Sequence, residues 1–219
     1  MNSSLLSLLV LAGIAIFLIL RLRSVLGTRE GFEKPPAAQA PTRSKTKRDF
    51  DVIEGGPDRD ITDHVEDGSD AAKALAAMKS AEPSFSVSEF LGGARSAYEM
   101  ILMAFENGDV DGLKPFLADD VMETFESVIQ AREEQGLTIE ASFVGIRELA
   151  LADATFDAAT KEGEISVRLM AELTSVVRNA DGEIVEGDPN EIKRQRDVWT
   201  FARSMGSSDP NWVLVATGE

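Results

Sequence analysis

The stretches TIEASFVGIRELALADATFD (Thr138–Asp157) and EISVRLMAELTSVV (Glu164–Val177) decide the fold. Before Gly136 apolar residues recur at three- and four-residue steps, and after it the period drops to two. In the second stretch Ile165, Val167, Leu169, Ala171 and Leu173 share one face. Asp181-Gly182 is a hairpin turn signal leading into EIVEG. Two further strands are expected, one around Arg194 to Arg203 and one from Trp212 to Thr217. Helices followed by strands make an α+β domain, with helices packed on a curved four-stranded antiparallel sheet. Both faces of the last two strands carry apolar residues, so both faces are expected to be at least partly covered.

The helical half is punctuated clearly. Ser86 and Glu89 have capping-box spacing, and Phe90, Ala94, Ala97, Ile101 and Phe105 follow at helical steps. Asn107-Gly108 ends that helix. A second runs from about Asp119 to Gln135 with Val121, Met122, Phe125, Val128 and Ile129 on its apolar face, and Gly136 is its stop.

The N-terminal region has a different character. Leu5–Leu20 is uncharged and contains twelve Leu, Ile, Val or Phe residues. As a helix it rises roughly 24 Å, which Leu22, Val25 and Leu26 can extend toward the ~30 Å of a bilayer core. Nothing basic precedes it and RLRSVLG follows it, so the pattern reads as an uncleaved single-pass anchor over 1–27 rather than a signal peptide. Leu5, Leu9, Ile16, Phe17 and Leu20 would sit in lipid, with Arg21 and Arg23 at the headgroups. Arg21, Arg23, Arg29 and Lys34 then place the bulk of the chain on the cytoplasmic face of an inner membrane.

Residues 28–84 read as a disordered charged linker with a short helix at 70–81, and residues 85–219 as the folded domain. Residues 1–48 carry eight Lys/Arg and two acids, and the remainder carries 14 against 36. So acidic a soluble part repels phosphate backbones, which argues against nucleic acid as a partner.

Chemistry is narrowed by what the chain lacks. With no cysteine, disulfides and thiol catalysis are impossible, and a lone His64 cannot build a Cys/His zinc site. Asn107, Asp109, Asp111 and Gly112 match the first positions of a calcium loop, but position 12 falls on Ala118. Asp109 or Asp111 as an N-cap explains the pattern better. GEIVEGDP has GxxxxG spacing without the Lys-Ser/Thr of a phosphate loop. No catalytic residue, metal site or cofactor is assigned. The remaining opening for catalysis is a pocket acid or base near Tyr98, Trp199, Phe201 and Arg203.

The pieces FLGGARSAYEMILMAFENGD, VMETFESVI, GEIVEGDPNEI, RDVWTFAR and DPNWVLVATGE together resemble the mitochondrial inner-membrane translocase subunit 44-like family, in its bacterial membrane-anchored form. The resemblance covers roughly Phe85 to Thr217. It implies a cone-like α+β fold with a sizeable apolar pocket, for which Tyr98, Phe105, Trp199, Phe201, Arg203 and Trp212 are the pocket or interaction candidates. It also implies a tethered scaffold at a membrane. The mitochondrial relative links an Hsp70-type chaperone to a protein channel and contacts lipid. The present chain has its own apolar N-terminal stretch and lacks that relative's long charged region, so import-motor activity is not carried over. The expectation is a non-enzymatic adaptor whose partner is a protein, with a chaperone or a translocation component as candidates. The alternative is a domain that binds a lipid or another apolar small molecule in its pocket.

Overall fold

The computed structural model describes residues 57–218. The anchor over 1–27, with Leu5, Leu9, Ile16, Phe17, Leu20, Arg21 and Arg23, lies outside the described residues, as does the linker up to residue 56. Among the described residues no helix is long and apolar enough to cross a membrane.

Five helices precede five strands: α1 (Arg59–Thr62), α2 (Asp70–Ala81), α3 (Val87–Glu106), α4 (Val110–Leu113), α5 (Asp119–Glu134), β1 (Thr138–Asp157), β2 (Glu162–Arg178), β3 (Ile184–Gly187), β4 (Lys193–Ser204) and β5 (Val213–Gly218). The sheet is antiparallel in the order β1-β2-β4-β5, and β3 pairs with the far end of β2. The EIVEG segment therefore adds a fifth strand to the four expected, through Val176, Val177 and Arg178.

Helix ends form where the sequence places them, with one substitution of partner. The Ser86 hydroxyl oxygen accepts from the Glu89 N–H at 3.3 Å, which is half of a capping box. The other acid is Asp60 rather than Glu89. Its carboxylate accepts from the N–H groups of Val87 at 2.8 Å and Ser88 at 3.0 Å, and from the Ser86 hydroxyl at 3.1 Å. Burial opposes ionisation of Asp60, but Lys79, whose Nζ lies 2.8 Å away, and these donors outweigh it and hold the carboxyl well below the usual range. Asp109 caps α4 by accepting from the Gly112 N–H at 2.9 Å. Gly108 and Gly136 take φ of +69° and +65°. At both, the chain turns back so that Asp109 and Leu137 donate to Ala104 and Arg132 at 2.8 and 3.0 Å, a double-bonded helix stop that glycine enters without strain.

Twenty residues of β1 pair with seventeen of β2, because the register shifts between Phe143/Gly145, Ile146/Glu148 and Leu151/Asp153. Each shift leaves one extra residue, Val144, Arg147 or Ala152, out of the ladder. Bulges bend the strand and increase its twist. They also keep Phe143, Ile146, Leu149, Leu151 and Ala154 opposite the inward set Leu173, Ala171, Leu169, Val167 and Ile165.

The helices pack on this inner face. Tyr98 stacks against Trp199 with ring centroids 4.5 Å apart, and Phe90 meets Phe201 edge-on at 6.1 Å. The outer face instead carries Arg147, Glu164, Arg168, Met170, Glu172, Arg194 and Arg196, with Val198 and Thr200 half-buried between them. The expectation that both faces are covered is thus met on the inner face, while the outer face is mostly charged. There the Glu172 carboxylate lies beneath Arg147 and Arg194, at 2.7 and 3.1 Å. Arg147 is the larger cause, with Arg194, of the lowering of its pKa.

Residues 57–84, read as part of a linker, contribute to the fold. In α2, Leu75 and Met78 are fully buried, and Met78 covers Gly163 so closely that an added Cβ there would meet its thioether at 3.0 Å. An Ala-rich helix this short is marginal alone, so its stability comes from that burial. Truncation Leu75→Ala should therefore cost about 2–5 kcal/mol, read as a lower urea midpoint of the whole domain. An unchanged midpoint would mean that α2 contributes nothing to the folded unit.

Candidate functional site

The inner face of β4 changes character along its length. From the loop end it presents Arg203, Phe201 and Trp199, and then Asp197, Gln195 and Lys193, since these alternate residues pair with β2 from Gly163 to Leu173. The apolar part is covered by α3. The polar part emerges where α3 ends, and a cleft opens there.

The cleft has two connected lobes that share Glu106, Gln195 and Asp197. An open trough of about 660 Å³ runs along Lys193–Asp197, with Leu173 and Ser175 beside it. A narrower slot of about 140 Å³ reaches inward between Leu102, Phe105, Phe125 and Trp199. Phe105 and Phe125 pack at 4.7 Å, and the Arg132 guanidinium lies 4.2 Å over the Phe105 ring. The Arg132 Nη1 donates to the Phe105 carbonyl at 3.2 Å.

Two carboxyl groups face this space and are handled differently. Asp197 accepts from the Tyr98 hydroxyl at 2.5 Å and from the Gln195 amide at 3.3 Å. Tyr98 is fully buried. Burial and the adjacent Asp197 push its pKa well above the ordinary phenol value, so it stays protonated and acts as a donor. Glu106 accepts only a long bond from the Ser175 hydroxyl at 3.5 Å. Burial pushes its pKa up, against the pull of Arg132, Ser175 and Lys193. The same burial lowers the pKa of Arg132. With apolar walls and two carboxyl groups, the cleft is suited to binding, and Tyr98 is too firmly protonated to serve as a base.

The six sequence-chosen residues divide into two groups. Trp199 and Phe105 line the slot, and Tyr98 lies behind it, fixing Asp197. Phe201, Arg203 and Trp212 line neither lobe. They form a brace at the other end of the sheet, where Trp212 packs on Phe90 at 4.7 Å and on Phe85 at 5.9 Å. Arg203 lies 5.3 Å from the Trp212 ring, donates to the Pro210 carbonyl at 3.1 Å and forms an ion pair with Glu82. That hydrogen bond, against the effect of burial, holds Glu82 below the usual carboxylate range. These three residues thus lie in the brace and away from this cleft. The sequence reading passed over Glu106, Gln195, Asp197 and Arg132. The available signal was polar residues at inward positions of β4, in step with Trp199 and Phe201.

Two outcomes follow from this geometry. Substituting Tyr98→Phe keeps the ring stack but removes the donor to Asp197, and should cost about 1.5–3 kcal/mol in chemical unfolding. Glu106 has a folded pKa above its unfolded one, so it favours folding below the unfolded value and that contribution is lost as pH rises through the folded value. Glu106→Gln should therefore raise the stability at pH 7–8 and make no difference below pH ~4.

Comparison with known proteins places this geometry in a family. The Tim44-like domain matches residues 71–219. The mitochondrial import inner membrane translocase subunit TIM44 of Homo sapiens is 26% identical over 161 residues, covering 69% of this chain and 35% of that protein. TIM44-1 of Arabidopsis thaliana is 25% identical over 137 residues, covering 61% and 28%. The chain thus spans about a third of the length of the curated relatives it matches. Among solved structures, the intermembrane space region of chloroplast protein ARC6 aligns with TM-score 0.33 and 10% identity, over 50% of this chain and 75% of that one. With the family matching from α2 through β5, this chain belongs to the Tim44-like domain family.

Proposed function

We propose that this protein is a non-enzymatic adaptor in protein translocation or membrane-protein quality control, tethered to a membrane by its N-terminal apolar stretch. Its acidic α+β domain is held on the cytoplasmic face, where the cleft beside β4 engages a protein partner. Membership of a family named for translocase subunits supports the translocation role. The observation that carries the binding role is the trough along Lys193–Asp197, open to solvent and backed by an aromatic slot. Arginines 21 and 23 at the end of Leu5–Leu20 support the topology through the positive-inside rule.

A second reading has the slot take the tail of a lipid or another apolar small molecule. The apolar lining of Leu102, Phe105, Phe125 and Trp199 favours it. Glu106 and Asp197 at the mouth weigh against it, because a tail in the slot leaves both carboxyl groups without a new partner.

A photo-reactive residue at Gln195, on the trough, and another at Asp157, at the exposed end of β1, separate the two readings. Irradiation of intact membranes should give a discrete protein adduct from position 195 and none from 157. A lipid adduct alone at 195 would replace the adaptor reading with the second one, and protease shaving from the non-cytoplasmic side that removes the domain would overturn the topology.

A further inference from the structure

Among the described residues five large hydrophobic side chains are well exposed, and three of them, Ile184, Val185 and Ile192, sit on one short arm. The arm runs from Ala180 to Ile192, through the turn after β2, the β3 strand and the connection into β4. Every residue along it is exposed. It also carries Asp181, Glu183, Glu186, Asp188 and Glu191, with no Lys or Arg. Clustered exposed apolar groups mark an interaction site. Five carboxylates among them restrict the partner to a surface that is both apolar and cationic.

We propose that this arm docks on the outer sheet face of a second copy of the chain, in a two-fold dimer where each copy gives an arm and receives one. The outer face of β2 and β4 has the matching chemistry. Exposed Arg168 and Arg196 stand there beside half-buried Val198 and Met170, with which they pair across the two strands. Next along the face, Glu172 is buried beneath Arg147 and Arg194 and holds both guanidiniums, while those two side chains stay 64% and 71% exposed. A guanidinium has five donors, so each keeps oriented N–H groups for an incoming carboxylate. Glu148, opposite Met170, offsets part of the charge. Four arginines against Glu148 and Glu172 still make a cationic spot in a chain of net charge −16. Adjacency favours a second copy as the occupant. Ile192 is two residues from Arg194, so arm and face lie side by side, and one two-fold axis near them forms both contacts at once. Two faces or two arms brought together would repel each other, so the charges select the crossed arrangement.

The chain has no cysteine, so a thiol can be placed singly in the full 219-residue protein. Ala180→Cys marks the arm, and Ala150→Cys marks the outer face opposite Arg168. Ala159→Cys, in the exposed β1–β2 turn, is the control. Differently tagged chains are co-expressed and the cells treated with a short, permeant bismaleimide. The 180–150 pair should yield at least about tenfold more cross-linked dimer than the 180–159 pair. Glu186→Lys with Glu191→Lys reverses the arm, and Arg168→Glu with Arg196→Glu reverses the face. Either double variant in both chains should lose the 180–150 product. An arm-reversed chain co-expressed with a face-reversed one should regain it, which also shows that the variants fold. Equal products from 150 and 159, a product indifferent to charge reversal, or no product would overturn the proposal. A product joining Ala180→Cys to a different protein, with none to the second copy, would overturn it too and assign the arm to that protein. The adduct at position 195 is read independently, so the adaptor reading stands or falls apart from this dimer.

Discussion

Everything in this domain depends on fitting twenty residues of β1 against seventeen of β2. A one-residue slip in a sheet turns every following side chain to the opposite face. Three separate insertions would have turned the apolar set out and back repeatedly if the extra residues had been accommodated by simple extension. Each is instead expelled as a bulge, and the inward ladder from Phe143–Leu173 to Ala154–Ile165 survives. Bulges bend the strand that carries them. The curl gives α3 a concave bed, so Phe90 and Tyr98 can reach Phe201 and Trp199 on a strand two places away from β1.

The cleft is a by-product of the same arrangement. α3 ends at Glu106, beside the point where the inner row of β4 turns from Trp199 to Asp197, Gln195 and Lys193. An inward-facing polar row cannot be roofed by an apolar helix without leaving groups unpaired. The helix stops there, and the Tyr98 hydroxyl reaches in to bond Asp197. The site forms where apolar cover runs out, along one strand whose pairing to β2 is unbroken.

Most of the architecture was legible from local signals. The Ser86 cap, the glycine stops at 108 and 136 and the alternation in β2 each require only neighbouring residues. What escaped the sequence depends on partners far away in the chain. Asp60 completes a cap more than twenty residues downstream, and α2 gains its stability from contact with β1 and β2 rather than from its own composition. Bulged residues such as Val144, Arg147 and Ala152 have no distinctive chemistry, and only the count against β2 exposes them. The aromatic residues drew attention to a pocket, but size alone could not separate Trp199, on the slot, from Trp212, in the brace. Asp197 and Glu106 were passed over, because nothing local says which way they point.

The two ends of the domain differ in how completely their charges are matched, and that difference bears on function. At the brace, Lys79 answers Asp58 and Asp60, and Arg203 answers Glu82. Asp60 and Glu82 have lowered pKa values there, so their ionised forms stabilise the fold. At the cleft the balance reverses. Glu106 has its pKa raised chiefly by burial, with Arg132 only partly offsetting that cost. A protein selected for stability alone would gain by replacing Glu106 with a neutral group. This incompletely compensated carboxyl group lines both lobes of the cleft. That imbalance, more than cleft volume, supports the proposal that this end of the domain engages the partner.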